Sequence, residues 1–227
     1  MARRRASLAK HLIIMAKSPH LGRVKRRLGR DIGDVAAAGF YRHCLSHVVL
    51  RLAQDPRWRT VIAVDPDRDV TKAFWPSRRR IARLPQGKGD LGRRMQRLFA
   101  ALPPGPAIIV GSDIPAISAA HIAEAFRRLG GADAVLGPAP DGGYWLIGLK
   151  RSPRVLRPFA GVRWSSAYAL ADTVANLDGK RVAFAATLSD VDTAADFRCQ
   201  RTSAERLVPQ SKMSQGNAFN LNLRGLL

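Results

Sequence analysis

Acidic side chains are scarce in this sequence: 17 Asp and Glu stand against 38 Lys and Arg, which leaves a formal net charge of +21 at pH 7. Such an excess suggests an anionic partner, with nucleic acid as one class. Aromatic residues make up only 7% of the chain. Stacking platforms for single strands are therefore few, and no RNA-binding aromatic signature is present. Two cysteines, Cys44 and Cys199, are too few for a disulfide framework. Cys44 falls in a helical pattern and reads as a small buried hydrophobe. No apolar run is long enough to span a membrane. Residues 12–16, Leu-Ile-Ile-Met-Ala, follow a basic start, but they are too few for a signal peptide's apolar region. Lys17 interrupts them and no small-residue cleavage site follows, so a cytoplasmic protein is expected. The chain also lacks a repeat of fixed period, a Gly-x-Ser-x-Gly elbow and a Cys-x-x-Cys pair, and the segment after its first strand is neither a Walker A loop nor a GxGxxG fingerprint.

What is present is a globular composition: 46% hydrophobic residues in 227, the size of one domain. The charge is unevenly placed. The first thirty residues hold ten Lys and Arg and no acid, and a second cluster comprises Arg78, Arg79, Arg80, Arg83, Lys88, Arg93, Arg94 and Arg97. Residues 1–10 read as a flexible basic arm, 11–197 as a single nucleotide-binding domain, and 198–227 as a C-terminal extension. Within the domain, residues 11–16, 60–64, 81–84, 107–110, 134–136, 144–149 and 181–188 read as strands. Residues 34–54, 91–102, 118–129 and 168–177 read as helices. Asp31 or Asp34 suits the start of the first helix and Ser118 caps the third, which Gly130-Gly131 is expected to end. Residues 17–30 read as a cation-rich loop. Strands alternating with helices predict an α/β fold, a three-layer α/β/α sandwich on a mostly parallel sheet. Such sheets bind ligands outside the carboxyl ends of their strands.

Five segments lie where that rule places chemistry. Lys17-Ser-Pro-His-Leu-Gly22-Arg23-Val-Lys25-Arg26-Arg27-Leu28 follows the first strand. Gly22 lets backbone N–H groups approach phosphate oxygens, and Arg23 and Lys25 can neutralise them; a solvated basic loop is the plainer alternative. Gly111-Ser-Asp113-Ile-Pro115 sets one carboxylate after a buried strand, where it can hold Mg²⁺ or Mn²⁺ against nucleotide phosphates or, alternatively, accept helix N–H groups. Asp190-Val-Asp192-Thr193 offers a second carboxylate for the same ion, Asp192 first and Asp190 in reserve, unless Asp192 or Thr193 serves as a helix cap. Asp141-Gly142-Gly143 permits close backbone approach or a plain hairpin turn. Residues 86–92, with Gly89 at their centre, could form a second phosphate-binding turn before a helix, or a surface turn. His43 and His47 stand four apart on a helix, but no further metal ligand accompanies them, and an ordinary polar face is expected.

Taken in order, these segments resemble a known family. The pattern runs Lys17-Ser-Pro…Gly22-Arg-Val-Lys25…Leu28, Gln86…Gly89-Asp-Leu-Gly92…Met95 and Gly111-Ser-Asp-Ile-Pro115. It continues with Gly137-Pro-Ala-Pro-Asp141-Gly-Gly-Tyr144-Trp-Leu-Ile-Gly148, Val162-Arg-Trp164-Ser165 and Asp190-Val-Asp192-Thr193. The family is that of domain of unknown function 2064, the radical-SAM/selenodomain-associated transferases. It is similar to the glycosyltransferase-A and nucleotidyltransferase superfamily. The resemblance covers about residues 11 to 197. It implies a glycosyltransferase-A type fold and an enzyme that moves a group from a nucleoside triphosphate or a nucleotide-sugar. It assigns Lys25 and Asp113 to catalysis, Asp113 and Asp192 to Mg²⁺ or Mn²⁺, and Lys17, Gly22, Arg23, Arg27, Gly89, Asp141, Gly142, Gly143, Trp164 and Ser165 to nucleotide or substrate binding. One departure stands out: the family carries Thr where this chain has Arg26, a long cation in place of a hydroxyl. A non-catalytic module that binds a nucleotide or anionic metabolite is the alternative in a different class, and a basic nucleic-acid-associated protein the third. No membrane partner is expected, and neither donor base, acceptor nor oligomeric state is encoded in these motifs.

The arm precedes the first strand and carries little apolar surface. Deleting residues 2–9 is expected to leave the melting temperature and nucleotide affinity unchanged. A fall of many degrees would show that the arm belongs to the fold.

Overall fold

The computed structural model describes residues 8–76, 81–152, 154–190 and 196. They fall in two compact units, one formed by residues up to Ser18 together with Arg42–Asp190, the other by Pro19–Tyr41 and the chain after Asp190. The basic residues 78–80 and the arm up to residue 7 lie outside the described residues, as does nearly all of the segment after Asp190.

The larger unit is built on one sheet of seven strands: β1 (His11–Lys17), β2 (Arg59–Asp65), β3 (Ile81–Pro85), β4 (Ala107–Gly111), β5 (Ala134–Pro138), β6 (Tyr144–Leu149) and β7 (Val182–Phe184). Their order is β3-β2-β1-β4-β6-β5-β7. β1 pairs in parallel with β2 and β4, β2 with β3, and β5 with β7, whereas β6 is antiparallel to both of its neighbours. The sheet is thus mixed, with parallel pairing dominant. Reversal at β6 restores direction in β5 and β7, so the carboxyl ends of β1, β2, β3, β4, β5 and β7 all reach the same edge. The central strands are apolar through their middles because both faces are covered: residues 12–14 and 107–110 are at most 3% exposed.

Helices flank the sheet. α1 (Arg26–Ile32) lies in the smaller unit, and α2 (Asp34–Ala53) begins there and continues into the larger one. α3 (Leu91–Ala101), α4 (Ala119–Gly131) and α5 (Ala169–Ala175) belong to the larger unit. α3 buries Met95, Leu98 and Phe99 at helical spacing in the core formed by Ile13, Ala63, Ile109, Leu136 and Ile147. Ser118 caps α4 by accepting the His121 N–H, while the His121 ring accepts the Ser118 N–H in return.

Three local expectations are corrected. The loop expected over 17–30 contains α1, which buries Leu28 and Gly29 on one side. The last strand is three residues rather than eight: after Phe184 only Ala185 and Leu188 donate to β5 carbonyls, at 2.8 and 3.2 Å. Gly130 and Gly131 form the last turn of α4 rather than its stop, and Ala132 stands at the C-cap.

At the amino edge, Leu8 and Ala9 lie against Gly105, where a Cβ on Gly105 would meet the Leu8 Cβ at 3.3 Å. Arg151 is buried and donates to the carbonyls of Leu102 at 2.6 Å, Pro103 at 3.1 Å and Gly105 at 3.1 Å. His11 is 2% exposed and its Nδ1 has no hydrogen-bond partner. Burial lowers its pKa below the ordinary histidine value, and the charges of Arg151 and Arg59 add to the effect. The neutral ring is therefore favoured in the fold. Its stabilisation is present above about pH 6.5 and is lost as pH falls through the lower folded-state value. His11→Leu is expected to lose less melting temperature than the native chain between about pH 7.5 and about pH 5. Equal losses would remove His11 from the acid response.

Candidate functional site

The strand directions deliver Lys17, Asp65, Gln86, Asp113, Asp141 and Asp190 to one edge of the larger unit. Lys17 is paired in register with Asp65, and Gly111 with Met15, so Asp113 emerges two residues past the last β1–β4 pair. The Ser18 N–H donates to the Asp65 carbonyl at 2.7 Å and extends the edge by one rung.

The turn after β3 is held by a polar network. The buried Gln86 amide donates to the carbonyls of Ala63 at 2.8 Å and Ala16 at 3.3 Å. Arg94 on α3 donates to the Gln86 Oε1 at 3.0 Å and to the Asp65 carboxylate at 3.3 Å. Arg97 grips the carbonyls of Gln86 at 2.6 Å and Lys88 at 2.8 Å, and the Gly87 N–H donates to Asp67 at 2.9 Å. Asp90 caps α3 by accepting the Arg93 N–H at 2.7 Å. Two N–H groups of this turn are thus taken by carboxylates, while Gly89, at φ 111°, supplies a backbone conformation that other residues rarely adopt.

Two further motifs meet this turn. Asp141 accepts the Gly143 N–H at 2.9 Å, and Gly142, at φ 80°, presses on the backbone of Ala167, where a Cβ would overlap the carbonyl. The Gly142 carbonyl accepts the Leu170 N–H at 3.0 Å at the start of α5. Trp164 packs edge-on to Tyr144, with ring centroids 6.4 Å apart, and tilts against Phe159 at 6.2 Å. It also covers Gly92, where an added Cβ would stand 2.8 Å from its ring. Residues 89–92, 141–144 and 164–170, distant in sequence, therefore converge on Trp164. Burial pushes the Tyr144 phenol up from its ordinary pKa, and the Thr173 hydroxyl lies 3.3 Å from its oxygen. Ser165 is held at φ 57°, in the left-handed region. Arg163 anchors this loop by a bidentate bond to Asp172, at 2.8 and 3.0 Å, and stacks over the exposed Tyr168 ring at 3.9 Å. The hydrogen bond from Arg163 holds the Asp172 carboxyl down to about 2.

Asp113 is half-buried, and its carboxylate lies 3.0 Å from the point where a Cβ on Gly111 would stand. Asp192, the expected second metal ligand, lies outside the described residues, as does Thr193. Asp190 is described and exposed. β7 is three places from β4 in the sheet, roughly 14 Å at ordinary strand spacing. Sharing an ion with Asp113 thus requires the segment after Leu188 to cross back towards the centre. Among the described residues no three His, Cys, Asp or Glu side chains cluster as a metal site. Mg²⁺ commonly takes only one or two protein carboxylates beside substrate phosphate, and Asp113 fits that donor set. His43 and His47 are exposed, with their rings stacked 6.3 Å apart.

In the smaller unit, Gly22 lies at φ 68° and the Arg23 N–H donates to His20 at 3.2 Å. Lys25 sits at the N-cap of α1 with φ 46° and ψ 46°, and its carbonyl accepts the Gly29 N–H at 2.8 Å. The Asp34 carboxylate fills the space beside Gly29, where a Cβ would come within 2.6 Å of it. Arg23, Arg26, Arg27 and Arg30 are all exposed.

A family described as "Uncharacterized protein conserved in bacteria (DUF2064)" matches residues 48–166, which is 119 of the 227. The chain belongs to this family. No curated protein matches it. Among solved structures, the DUF2064 chain is similar to a protein from Desulfovibrio desulfuricans G20 provisionally described as a nucleotide-diphospho-sugar transferase. The identity is 28% and the TM-score 0.78, over 88% of this chain and 90% of that one. It shares its fold with the 4-diphosphocytidyl-2C-methyl-D-erythritol synthase of Anaerococcus prevotii DSM 20548, at 12% identity and TM-score 0.59, over 87% and 99% of the chains. Rv0371c of Mycobacterium tuberculosis H37Rv, solved in complex with manganese, has 16% identity and TM-score 0.52, over 85% and 97%. The glycosyltransferase-A type fold expected from the resemblance is therefore present.

Sequence reasoning missed the support beneath these motifs. Asp65 stood one residue past the strand expected over 60–64 and belonged to none of the motifs, and the Arg163–Asp172 pair left no trace beyond opposite charge nine residues apart. Gly142→Ala is expected to destabilise the DUF2064 chain by about 1–3 kcal/mol, from positive φ and backbone overlap together. Gly143→Ala meets only the Asp141 side chain, at 3.1 Å, and is expected to cost less. Urea denaturation of both variants checks the order, and equal stabilities would refute the docking of Gly142 on Ala167.

Proposed function

We propose that this chain is a metal-dependent transferase that uses an activated nucleotide as donor. The observation that carries the reading is the delivery of the motif residues to the carboxyl edge of a mostly parallel sheet, where such folds bind ligands. Likeness to a protein provisionally described as a nucleotide-diphospho-sugar transferase supports it, as does the manganese complex of a protein of the same fold.

In this reading Lys25 and Arg23 neutralise donor phosphate oxygens, with Lys17 and Arg27 adding to the field, and Gly22 lets backbone N–H groups approach. Asp113, with Asp192, holds Mg²⁺ or Mn²⁺, which when bound supplies positive charge to the donor phosphates. Gly89, Asp141, Gly142, Gly143, Trp164 and Ser165 shape the substrate-facing loops. Phosphoryl chemistry of this kind needs charge neutralisation and in-line placement more than covalent help. In nucleotidyl transfer, an acceptor phosphate oxygen bonds to the α-phosphorus and the bond to pyrophosphate breaks. In glycosyl transfer, the acceptor attacks the sugar carbon and a nucleoside diphosphate leaves. A cytoplasmic setting belongs to the same proposal; no helix among the described residues is long and apolar enough to cross a membrane.

A donor screen with Mg²⁺ or Mn²⁺ separates the two reactions by the product released, pyrophosphate or nucleoside diphosphate. Nucleotide binding without either product would favour a binding module. Lys25→Ala is expected to weaken nucleotide binding by roughly 1.5–3 kcal/mol with the fold intact. Asp113→Asn is expected to abolish the metal-dependent part of that binding. Unchanged affinities at low salt would remove both residues from the site.

A further inference from the structure

One face of α2 carries Cys44, Val48 and Arg51, spaced i, i+4 and i+7. Cys44 is 3% exposed and its thiol lies 3.6 Å from the Ser112 carbonyl. Val48 is fully buried between them in sequence. Arg51 sends one guanidinium nitrogen to the Pro115 carbonyl at 2.8 Å and to the Ile117 carbonyl. The three carbonyls gripped from α2 belong to the segment between β4 and α4. They bracket Asp113, one residue before it and two and four residues after it. Inside the bracket, the Ile117 N–H closes a turn on the Ile114 carbonyl at 3.2 Å.

Arg51 is half-buried, and its two carbonyl bonds offset only part of the cost of drawing a cation out of water, since its buried Nε has no partner. Arg51 has no carboxylate opposite it in these bonds; its partners are main-chain carbonyls. A leucine would fill the same volume more cheaply but would leave those carbonyls without a charged donor. What the arginine adds over an apolar residue is therefore a fixed backbone path on the far side of Asp113, with the Cys44 thiol fixing the near side. Asp113 projects from a segment with no regular structure, so the path of that backbone helps to set where its carboxylate stands.

We infer that Arg51, with Cys44, is a positioning residue that clamps the segment Ser112 to Ile117 and so fixes the carboxylate of Asp113. The inference rests on the reading of Asp113 as a metal-holding carboxylate. Side chains that orient metal ligands without touching the ion commonly change metal affinity by about 10–100-fold when removed.

The test compares the full-length native chain with Arg51→Ala, Arg51→Lys and Asp113→Asn, using Mn²⁺ alone as the probe. Amide hydrogen exchange reports the clamp, and the paramagnetic resonance of free Mn²⁺ reports binding. Arg51→Ala is expected to speed exchange selectively at residues 112–117 and to raise the Mn²⁺ Kd by about tenfold. Arg51→Lys, which keeps one charged donor, is expected to recover part of both. If Arg51→Ala does not fold, Arg51→Lys is read in its place against the native chain. Unchanged protection at residues 112–117 in a folded variant overturns the inference. So does faster exchange spread evenly over the sheet with native Mn²⁺ affinity, which would make Arg51 a general stabiliser. Should Asp113→Asn bind Mn²⁺ as the native chain does, the metal reading fails by itself, and the exchange pattern alone then decides the clamp.

Discussion

Parallel pairing of β1 between β2 and β4 is the constraint from which the rest of the larger unit follows. Parallel strands need crossover connections, and those crossovers supply α2, α3 and the cover on both faces. They also force every strand in this set to end at the same edge, so that Lys17, Asp65, Gln86 and Asp113 become neighbours in space through strand order alone. β6 runs against this direction, and its reversal returns β5 and β7 to it, which brings Asp141 and Asp190 to the same side. A one-sided sheet edge lined with polar loops is a consequence of chain direction, not of any single residue.

The edge was legible in the sequence because buried strands announce themselves: Ala-Ile-Ile-Val at residues 107–110 has no polar face, and whatever follows such a run must emerge at a strand end. α1 was not legible, since Arg-Arg-Leu-Gly-Arg-Asp-Ile carries one glycine and too few apolar positions to show a helical period. The last strand was overextended for the opposite reason: Ala185, Ala186 and Leu188 continue an apolar pattern, but only some of their N–H groups find β5. Gly142 and Trp164 could be singled out, yet their docking on Ala167 and Gly92 depends on contacts across 25 and 72 residues, which spacing along the chain does not encode.

The polar network explains how an arginine-rich chain keeps a defined edge. Asp65 accepts from Arg94, Asp67 from the Gly87 N–H, Asp90 from the Arg93 N–H, Asp141 from the Gly143 N–H and Asp172 from Arg163. Five of the few acids are committed to shaping loops, and Asp172 does so while it pairs the exposed Arg163. Lys88, exposed on the glycine-rich turn of the larger unit, thus sits on well-shaped backbone; the smaller unit has its own exposed arginines, Arg23, Arg26, Arg27 and Arg30. A positive field of this kind raises the local concentration of an anionic substrate and weakens with salt. Arg26, the first residue of α1, carries the same sign.

Backbone strain is confined to few places. Among the described residues, three that are not glycine lie at positive φ: Lys25, Arg151 and Ser165. Each such conformation costs of order 1–3 kcal/mol and persists only where its surroundings hold it. For Arg151 the reason is visible, since its guanidinium binds three carbonyls at the amino edge and the backbone turns to let it reach them. Ser165 makes no comparable anchor of its own. Its neighbours hold it instead: the Ser166 hydroxyl donates to the Arg163 carbonyl at 2.6 Å, and Arg163 is fixed by Asp172. That arrangement spends hydrogen bonds on keeping one exposed serine in a strained turn beside Trp164, at the meeting point of three motifs. Lys25 stands at φ 46° at the N-cap of a seven-residue helix, where an extended residue would serve the helix better. Lys25 and Ser165 both lie within the segments that the motif pattern marks, and a role for their strain belongs to the proposed function.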